Sequence, residues 1–516
     1  MTTIVKERLL LIFLWVTMCL VVWPSGGWPV NDDWAYTRAV QALKEGSFHY
    51  LDWQGMQLFS QVLWGYLFLG LGGEGIVGLR ISMMVLALMG GIIVHAVLRL
   101  QGVDRWGSCL GALLLLFNPV YFHLSMTFMT DVFALTFCLA GFHRMERVRL
   151  KGYSHLDGVL AALFLAIAVL CRPTALIVPL GTILVQLGSG TADRRNLLFS
   201  ILLLITTSLF LAWHDLYFLE RIGRPWNYGF QLGSAIIEWT APDGMDLQKI
   251  AYYLLNFFLF SGLSLVPLAL PRLGKWSRKE LLVAILFILL GQARMHWSGN
   301  NWPFTGDIWH AQGVGALLFP DHASARTDTS WVVGSLLVLA SSLSLAKCIG
   351  HFRLLHPASF ILLGSVVPLS IIYLSDRYFV FALAFLIILL MPRMPITGRA
   401  PGIVTLVALM CLVLFSVNEQ VYFQGTRKGA RALADGCGDL ERKLDLNGGF
   451  EWNGYQRFEM AGYRADTPEL SWPGTDRLRI TPADHMPGFT CLDSVEVHDL
   501  VGLKNMRMRL FERVGP

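Results

Sequence analysis

The stretch LLLIFLWVTMCLVVWPSGGWPVNDDW, residues 9–34, joins an apolar run to two adjacent carboxylates, Asp32 and Asp33. The run from Leu9 to about Val22 is predicted to be a retained membrane span, because no small-residue cleavage site follows it. A carboxylate this close to a bilayer is costly unless it is solvated, paired or used in chemistry. The two acids are therefore the first candidates for a functional site.

Composition indicates that apolar runs recur along the whole chain. The 516 residues are 54% hydrophobic and only 15% charged, against about 25% charged in soluble proteins. The mean hydropathy is +0.53. Such a surplus, spread over the length, predicts many bilayer spans rather than one large soluble core. The net charge of +5 gives no indication of nucleic-acid binding, because most Lys and Arg fall in short loops.

About thirteen apolar segments are predicted to cross the membrane as α-helices. Their approximate bounds are 9–23, 76–98, 107–120, 131–147, 157–170, 174–188, 197–213, 250–270, 281–292, 330–346, 357–374, 378–391 and 401–417. With the N-terminus in the cytoplasm, every cytoplasmic connection is basic, as the positive-inside rule requires. The outer connections, 24–75, 214–249 and 293–329, are long, aromatic and comparatively acidic. An odd number of spans then places the C-terminal tail outside.

Two parts of the chain are predicted, a membrane domain at 1–417 and a small soluble domain at 418–516. The tail is polar, and strand-like pieces such as 494–498 predict an α/β module. Residues 34–73 are predicted to form amphipathic helices on the outer surface, because a span there would invert every later loop. The fold class is therefore a polytopic α-helical membrane protein with a small extracytoplasmic domain.

Three carboxylates could carry chemistry. Asp32 could be a general base that takes a proton from an attacking hydroxyl or amine. Asp33 could cap the helix predicted to start at Trp34, and the pair could also be a solvated loop. Asp131 opens the span after the outer loop 118–130. It could cap that span, or form an acidic pocket with Asp32 that binds a divalent cation or orients an acceptor.

Arginines at three positions could bind a phosphate group, since the guanidinium fork matches its oxygens. Arg377 lies in a short outer turn, where it could also be an interfacial anchor paired with Asp376. Arg172 occupies a similar outer hairpin. Arg80 lies one turn inside the second span, where an ionisable group usually faces a cavity or a partner.

Cysteines and histidines give weaker signals. Of eight cysteines, only Cys437 and Cys491 share a hydrophilic stretch. In an oxidising outer compartment they are predicted to form a disulfide, with two buried thiols as the alternative. The sequence has neither zinc-type cysteine spacing nor an HExxH-like pair, so a His-based metal site is not expected.

Taken in order, these motifs resemble those of the GT-C superfamily of integral-membrane glycosyltransferases, in its family 39-like branch. That branch includes the protein O-mannosyltransferases and the bacterial aminoarabinose transferase that modifies lipid A. The matching motifs, within residues 1–417, are Asp32-Asp33, the outer stretch 57–73 that ends in Gly, Leu79-Arg80-Ile81-Ser82, Asn118-Pro119, Met129-Thr130-Asp131, Arg172-Pro173-Thr174 and Arg377-Tyr378.

The resemblance implies a GT-C-like fold and a sugar donor linked to polyprenyl phosphate. It also implies that the first acid of the pair, Asp32, is the catalytic base. Asp33 and Asp131 are placed beside it as candidate catalytic residues.

The chain departs from the family at the phosphate. Many members carry a Lys-Pro pair in the outer amphipathic stretch, and its Lys helps to bind phosphate, but residues 52–57 contain no Lys. Donor phosphate binding is therefore assigned to Arg377, Arg172 or Arg80, with Tyr378 beside them.

The predicted function is an inverting transfer of a sugar from a polyprenyl-phosphate carrier to a lipid, glycan or protein acceptor of the cell envelope. The setting is the bacterial inner membrane, with a cytoplasmic N-terminus and a periplasmic tail. Arginine would stabilise the leaving phosphate, which makes a divalent cation optional. A transporter or flippase of a polyprenyl-linked intermediate is the alternative, and it would have broken helices and repeat symmetry. A catalytically inactive scaffold is a third possibility.

Overall fold

The structure, a computed structural model, describes residues 3–24, 27–51, 53–70, 75–188, 193–229, 247–274, 276–298, 328–372, 376–396, 398–437, 446–447, 452, 478–500 and 505–514. Much of the outer connections predicted at 214–249 and 293–329 lies outside the described residues.

The described chain is mostly α-helical. Its first half contains α1 (Thr3–Val21), α2 (Asp33–Lys44), α3 (Phe59–Gly70), α4 (Gly75–Leu100), α5 (Arg105–Leu116), α6 (Pro119–Ser125), α7 (Thr130–Lys151), α8 (His155–Val169) and, after a 3-10 turn at Pro173–Leu176, α9 (Ile177–Gly188). Its second half contains α10 (Arg194–Trp213), a π-helical turn (His214–Phe218), α11 (Leu219–Ile222), α12 (Leu247–Ser264), α13 (Val266–Ala269), α14 (Arg278–Ser298), α15 (Asp328–Ile349), α16 (Pro357–Ile372), α17 (Asp376–Leu390) and α18 (Arg399–Gly436).

Every predicted span coincides with a described helix, and the protein has the helices of an integral membrane protein. Within the described residues, five helical segments are long and apolar enough to cross a bilayer: Gly75–Leu100, Arg194–Ile222, Arg278–Ser298, Trp331–Ile349 and Arg399–Gly436. Two bent pairs bring the number to seven if each pair is one span. The other predicted spans fall on described helices that are shorter or more charged, so length and composition identify fewer than thirteen.

The two bends meet inside the helical bundle. Between α5 and α6 the chain turns by 66°, and between α12 and the segment Val266–Arg272 by 59°. Asn118 caps α6, since its side-chain oxygen accepts from the backbone N–H of Val120 and Tyr121, and Pro119 fits the first helical position. The Asn118 amide also donates to Ser264 Oγ at 2.9 Å. A polar bridge therefore fixes both bends.

The residues predicted to lie on the outer surface form α2 and α3, which pack on each other and on α4. The chain enters α2 through Asn31, whose φ of 49° is left-handed, a conformation that Asn tolerates better than most residues. This turn places Asp32 and Asp33 at the very start of α2, beside the bundle.

The described part of the tail forms a four-stranded sheet in the order β1-β2-β4-β3. The strands are β1 (Leu446–Asn447), β2 (Leu478–Thr481), β3 (Phe489–His498) and β4 (Asn505–Arg513). β1 runs parallel to β2, and the other pairs are antiparallel. This sheet, with the end of α18 packed on it, agrees with an α/β arrangement.

α18 connects the bundle to the sheet without a break. Its 38 residues extend about 57 Å at 1.5 Å per residue, whereas a bilayer core is about 30 Å thick. The helix is therefore longer than the hydrocarbon core, and its C-terminal part extends beyond the core and packs on β3. Gly425 and Gly429 meet Val497 there, where a Cβ at Gly425 would lie 2.6 Å from a valine methyl. The predicted boundary at 418 lies within this helix.

The predicted disulfide between Cys437 and Cys491 is wrong, because neither cysteine is disulfide-bonded in the structure. Cys437 is buried at the end of α18, where its thiol donates to the carbonyl of Leu433. Cys491 is exposed on β3. A shared hydrophilic stretch therefore did not predict a covalent bond.

Candidate active site

Three Asp–Arg pairs bring together six of the seven residues predicted from the sequence. The most deeply buried pair joins Asp33 at the start of α2 to Arg80 of α4. The Arg80 Nε and Nη2 atoms donate to Asp33 Oδ2 at 3.0 and 2.7 Å, and Nη2 also donates to the Trp28 carbonyl at 2.7 Å. The side chains are 0% and 2% exposed.

Asp33 does not cap α2 as one alternative predicted; it occupies the first turn, and its Oδ1 accepts from the backbone N–H of Val30 at 2.7 Å. Burial raises the pKa of the Asp33 carboxyl, and the Arg80 guanidinium acts against that rise. Because Asp33 and Arg80 are buried and neutralise each other's charge, this geometry favours a structural role for Arg80 over phosphate binding.

The second pair joins Asp131 of α7 to Arg172, which precedes the 3-10 turn. Arg172 Nη2 lies 2.9 Å from Asp131 Oδ1, and Arg172 Nε donates to Thr130 Oγ1 at 2.7 Å. These side chains are 5% and 8% exposed. The second carboxylate oxygen, Asp131 Oδ2, is buried and has no hydrogen-bond partner among the described residues. Asp131 lies in the first turn of α7, where the helix dipole favours a negative charge.

The most exposed pair joins Asp32 to Arg377, which lies in the first turn of α17. Arg377 Nη1 lies 3.6 Å from Asp32 Oδ2, beyond normal hydrogen-bond length. The other carboxylate oxygen, Oδ1, accepts the indole N–H of Trp53 at 2.9 Å. These two side chains are 19% and 13% exposed, so this pair is the most accessible of the three. Asp376, the alternative partner of Arg377, is fully buried.

The second and third pairs meet at Tyr378. The Arg172 and Arg377 guanidinium carbons lie 5.2 and 5.1 Å from the centre of its ring, and Arg377 Nη2 donates to its hydroxyl at 3.2 Å. A cavity of about 20 Å³, lined by Asp131, Arg172, Arg377 and Tyr378, has room for about one water molecule. A larger ligand must therefore displace a side chain.

Tyr36 belongs to this cluster, and sequence reasoning missed it. Burial raises the pKa of its phenol well above the usual value; the nearby Asp32 carboxylate raises it further, while Arg377 and Arg172 lower it. The signal was present in the spacing, since residues four apart lie on the same face of a helix and Tyr36 follows Asp32 by four.

A hydrogen-bonded network supports the segment that holds Trp53. The Asn227 amide donates to the Trp53 carbonyl at 2.6 Å. Next to it, Gln57 donates to the Tyr228 hydroxyl and Tyr228 donates to Asp215, both at 2.7 Å. The network anchors residues 53–57 to the end of the helical segment that contains the π-helical turn. Nothing in the sequence pattern indicates the pairing of Trp53 with Asn227 or of Gln57 with Tyr228, because the members are 174 and 171 positions apart.

No protein-family model matches this chain, and no curated protein matches it. Among solved structures it is similar to ArnT from Cupriavidus metallidurans bound to undecaprenyl phosphate, with 12% identity, a TM-score of 0.48, and coverage of 96% of this chain and 97% of that chain. It is also similar to the S. cerevisiae protein O-mannosyltransferase complex bound to the sugar donor, with 17% identity, a TM-score of 0.31, and coverage of 42% and 32%. The chain thus spans about a third of that O-mannosyltransferase.

A third similar structure is the Archaeoglobus fulgidus oligosaccharyltransferase in the apo form, with 13% identity, a TM-score of 0.34, and coverage of 74% of this chain and 56% of that chain. All three proteins are GT-C superfamily members, the group that the sequence motifs resemble. At these identities and TM-scores the likeness does not assign an activity to this chain.

Proposed function

We propose that this protein is a membrane glycosyltransferase that moves a sugar from a polyprenyl-phosphate-linked donor to a lipid, glycan or protein acceptor on the outer face. The observation that supports this most is the pair of Asp32 and Arg377. A carboxylate and a guanidinium lie 3.6 Å apart, partly exposed, beside a second Arg–Asp pair. Such a pair offers a base for the acceptor and a cation for the phosphate in one place.

In the proposed reaction, Asp32 is the general base. The Trp53 indole holds one of its oxygens, and the other, which faces Arg377, is proposed to take the acceptor's proton. As the acceptor oxygen or nitrogen bonds to the anomeric carbon, the bond from that carbon to the phosphate oxygen breaks. The proton passes to Asp32, and the electron pair leaves with the polyprenyl phosphate. A single displacement of this kind inverts the anomeric centre.

Arg377 is proposed to bind the leaving phosphate, with Arg172 and the Tyr378 hydroxyl beside it. Negative charge grows on the phosphate as the bond breaks, and a guanidinium already in place stabilises it. The contact of Arg172 with Asp131 is shorter than that of Arg377 with Asp32, 2.9 Å against 3.6 Å. A divalent cation at these carboxylates stays the alternative, but it would have to compete with two guanidinium groups.

The transporter alternative is favoured by one observation, the two bent helix pairs, since broken helices line the paths of many transporters. Here, however, the residues at the two bends bond to each other. Asn118 and Ser264 are buried and 2.9 Å apart, so the bends are joined rather than open to a path. The candidate charges cluster instead around the start of α2, which favours an enzyme.

The decisive experiment is transfer by the purified full-length protein, with a panel of polyprenyl-phosphate-linked sugars as donors and release of polyprenyl phosphate as readout. Asp32→Asn should lower the rate about 10²–10⁴-fold, as loss of a general base does. Asp104→Asn is the matched control, because Asp104 caps α5 and Asn caps equally well. Near-normal turnover in Asp32→Asn would reject Asp32 as the base. Donor movement across vesicles without release of polyprenyl phosphate would favour the transporter.

A further inference from the structure

A second group of reactive side chains lies on three helices, apart from the candidate active site. Glu7 of α1, His95 of α4 and Cys109 of α5 are all buried, and one ligand atom from each lies within 4.8 Å of the others. His95 Nε2 lies 3.0 Å from Glu7 Oε2. The loop charges place these ends of the helices on the cytoplasmic side.

The chemistry of the three groups suits one kind of ion. Thiolate sulfur, imidazole nitrogen and carboxylate oxygen are the ligands that zinc prefers, at about 2.0–2.3 Å from the metal. Neighbouring ligand atoms around a tetrahedral zinc are then about 3.3–3.8 Å apart. The observed spacing therefore needs only small side-chain rotations to fit. Calcium and magnesium prefer oxygen ligands throughout, so a thiol makes them poor candidates.

The hydrogen bonding of the group is incomplete without a ligand. Glu7 Oε1 and His95 Nδ1 are buried and have no hydrogen-bond partner within the described chain. An ion pair between Glu7 and His95 alone leaves that carboxylate oxygen unmet, which is costly in a buried place. A bound cation would meet it. A metal bound to His95 Nε2 would replace the present hydrogen bond to Glu7, and Nδ1 would then carry the ring N–H and need an outer hydrogen-bond acceptor.

The nearest competing cation is Arg99, whose Nε lies 3.8 Å from Glu7 Oε2. Its guanidinium also donates to the Val103 carbonyl at 2.8 Å, and its side chain is 30% exposed. One end of the Arg99 guanidinium is therefore held at Val103, while its buried Nε stays beside Glu7 Oε2. Because His95 and Arg99 both face Glu7 Oε2, the other oxygen, Oε1, is the one available to a metal ion.

We propose that Glu7, His95 and Cys109 form a zinc site that ties α1 to α4 and α5, with water as the fourth ligand. Tethering matters here because α1 leads directly into the turn that presents Asp32. The site does not depend on the proposed sugar transfer, and either proposal can fail without the other. Sequence spacing gives no sign of it, because each ligand comes from a different helix.

The test uses tag-free, full-length protein from cells grown with added zinc, purified in detergent without chelators. We expect about one zinc per chain by elemental mass spectrometry, and an at least tenfold loss in Cys109→Ser. Cys19→Ser is the matched control, because Cys19 is a free thiol with the same 5% exposure as Cys109. This control should keep the full zinc content.

Cobalt provides the second measurement and does not rely on a variant that folds. After zinc is exchanged for Co²⁺, wild type and Cys19→Ser should show a thiolate-to-cobalt charge-transfer band. Cys109→Ser and His95→Gln should lack or weaken it. Absence of the band in wild type, or less than about a tenth of a zinc per chain, would overturn the proposal. Equal zinc in wild type and folded Cys109→Ser would overturn it as well.

Discussion

At the scale of single residues, the three Asp–Arg pairs differ most in how far water can reach them. Exposure rises from the sealed Asp33–Arg80 pair to the open Asp32–Arg377 pair. A sealed pair is fixed, because either charge alone would be buried without compensation. An open pair with a 3.6 Å contact can part to admit a ligand at small cost. Function is therefore expected at the open pair, with the sealed pair as its support.

Loss of either arginine should then have a different effect. Arg80→Ala strands the Asp33 carboxylate in a buried place and should cost about 3–5 kcal/mol of stability. Arg377→Ala should leave thermal unfolding nearly unchanged but raise the KM for the lipid donor and lower kcat. Arg377→Lys should rescue only in part, since Lys lacks the planar fork.

Thermal unfolding in detergent and initial rates on the folded fraction check this contrast. A stable Arg80→Ala protein with a raised donor KM would exchange the roles of the two arginines. Normal donor use by both Arg377 variants would leave Arg377 as an interfacial anchor and make Arg172 the leading phosphate ligand.

Trp53 is predicted to be a positioning residue for Asp32. Trp53→Phe keeps an aromatic ring, which packs near Trp34 at a centroid distance of 6.4 Å, but removes the N–H that holds the carboxylate. We expect kcat to fall roughly tenfold, equivalent to about 1.4 kcal/mol, with donor KM unchanged. Trp226→Phe, an exposed tryptophan, is the control. A rise in KM without a change in kcat would show that Trp53 contacts the donor instead.

At the scale of helices and strands, hydropathy predicted where the helices lie, but it did not predict which residues of different helices contact each other. Each apolar run is a helix because a bilayer forces local backbone hydrogen bonding on any long apolar segment. That rule uses only the local sequence of each segment. The partner of Arg80, the place of Tyr36 and the bridge from Asn118 to Ser264 depend on how helices cross, which no local pattern contains. The family motifs contain most residues of the cluster, but they do not predict which aspartate pairs with which arginine.

The bend between α5 and α6 gives a test at this scale. Asn118→Ala removes both the cap of α6 and the bridge to Ser264, and should cost about 1–3 kcal/mol. Asn118→Ser keeps a capping oxygen but is too short to reach Ser264, so it should lose less. Unfolding temperatures of the two variants in the same detergent decide this. Equal losses would mean that the cap contributes nothing and the bridge carries the whole effect.

At the scale of the whole molecule, the tail and the candidate site share a residue. The Trp28 ring stacks on Trp452 of the tail with centroids 4.4 Å apart, while the Trp28 carbonyl accepts from Arg80. α18 continues from the bundle onto the sheet, so in the described part of the chain this helix ties the tail to the bundle as well as the tryptophan stack does. A sequence boundary drawn from composition could not reveal this continuity, because composition changes at 418 while the helix does not end until Gly436.

Thiol chemistry tests the orientation of the whole molecule and the corrected cysteine pairing together. Cys491 is exposed on β3 and Cys437 is buried. If the tail lies outside, as the loop charges predict, a membrane-impermeant maleimide added to intact cells without reductant should label Cys491 and not Cys437. Denaturation without reductant should then make Cys437 reactive too, together with the buried cysteines of the helical bundle, so labelling is read on the tail peptides. Cys491→Ser should abolish labelling of intact cells.

Cys411, exposed but within the apolar part of α18, should not react, because a lipid-facing thiol meets no aqueous reagent. Labelling only after the cells are opened would reverse the orientation, and labelling only after reduction would restore the disulfide.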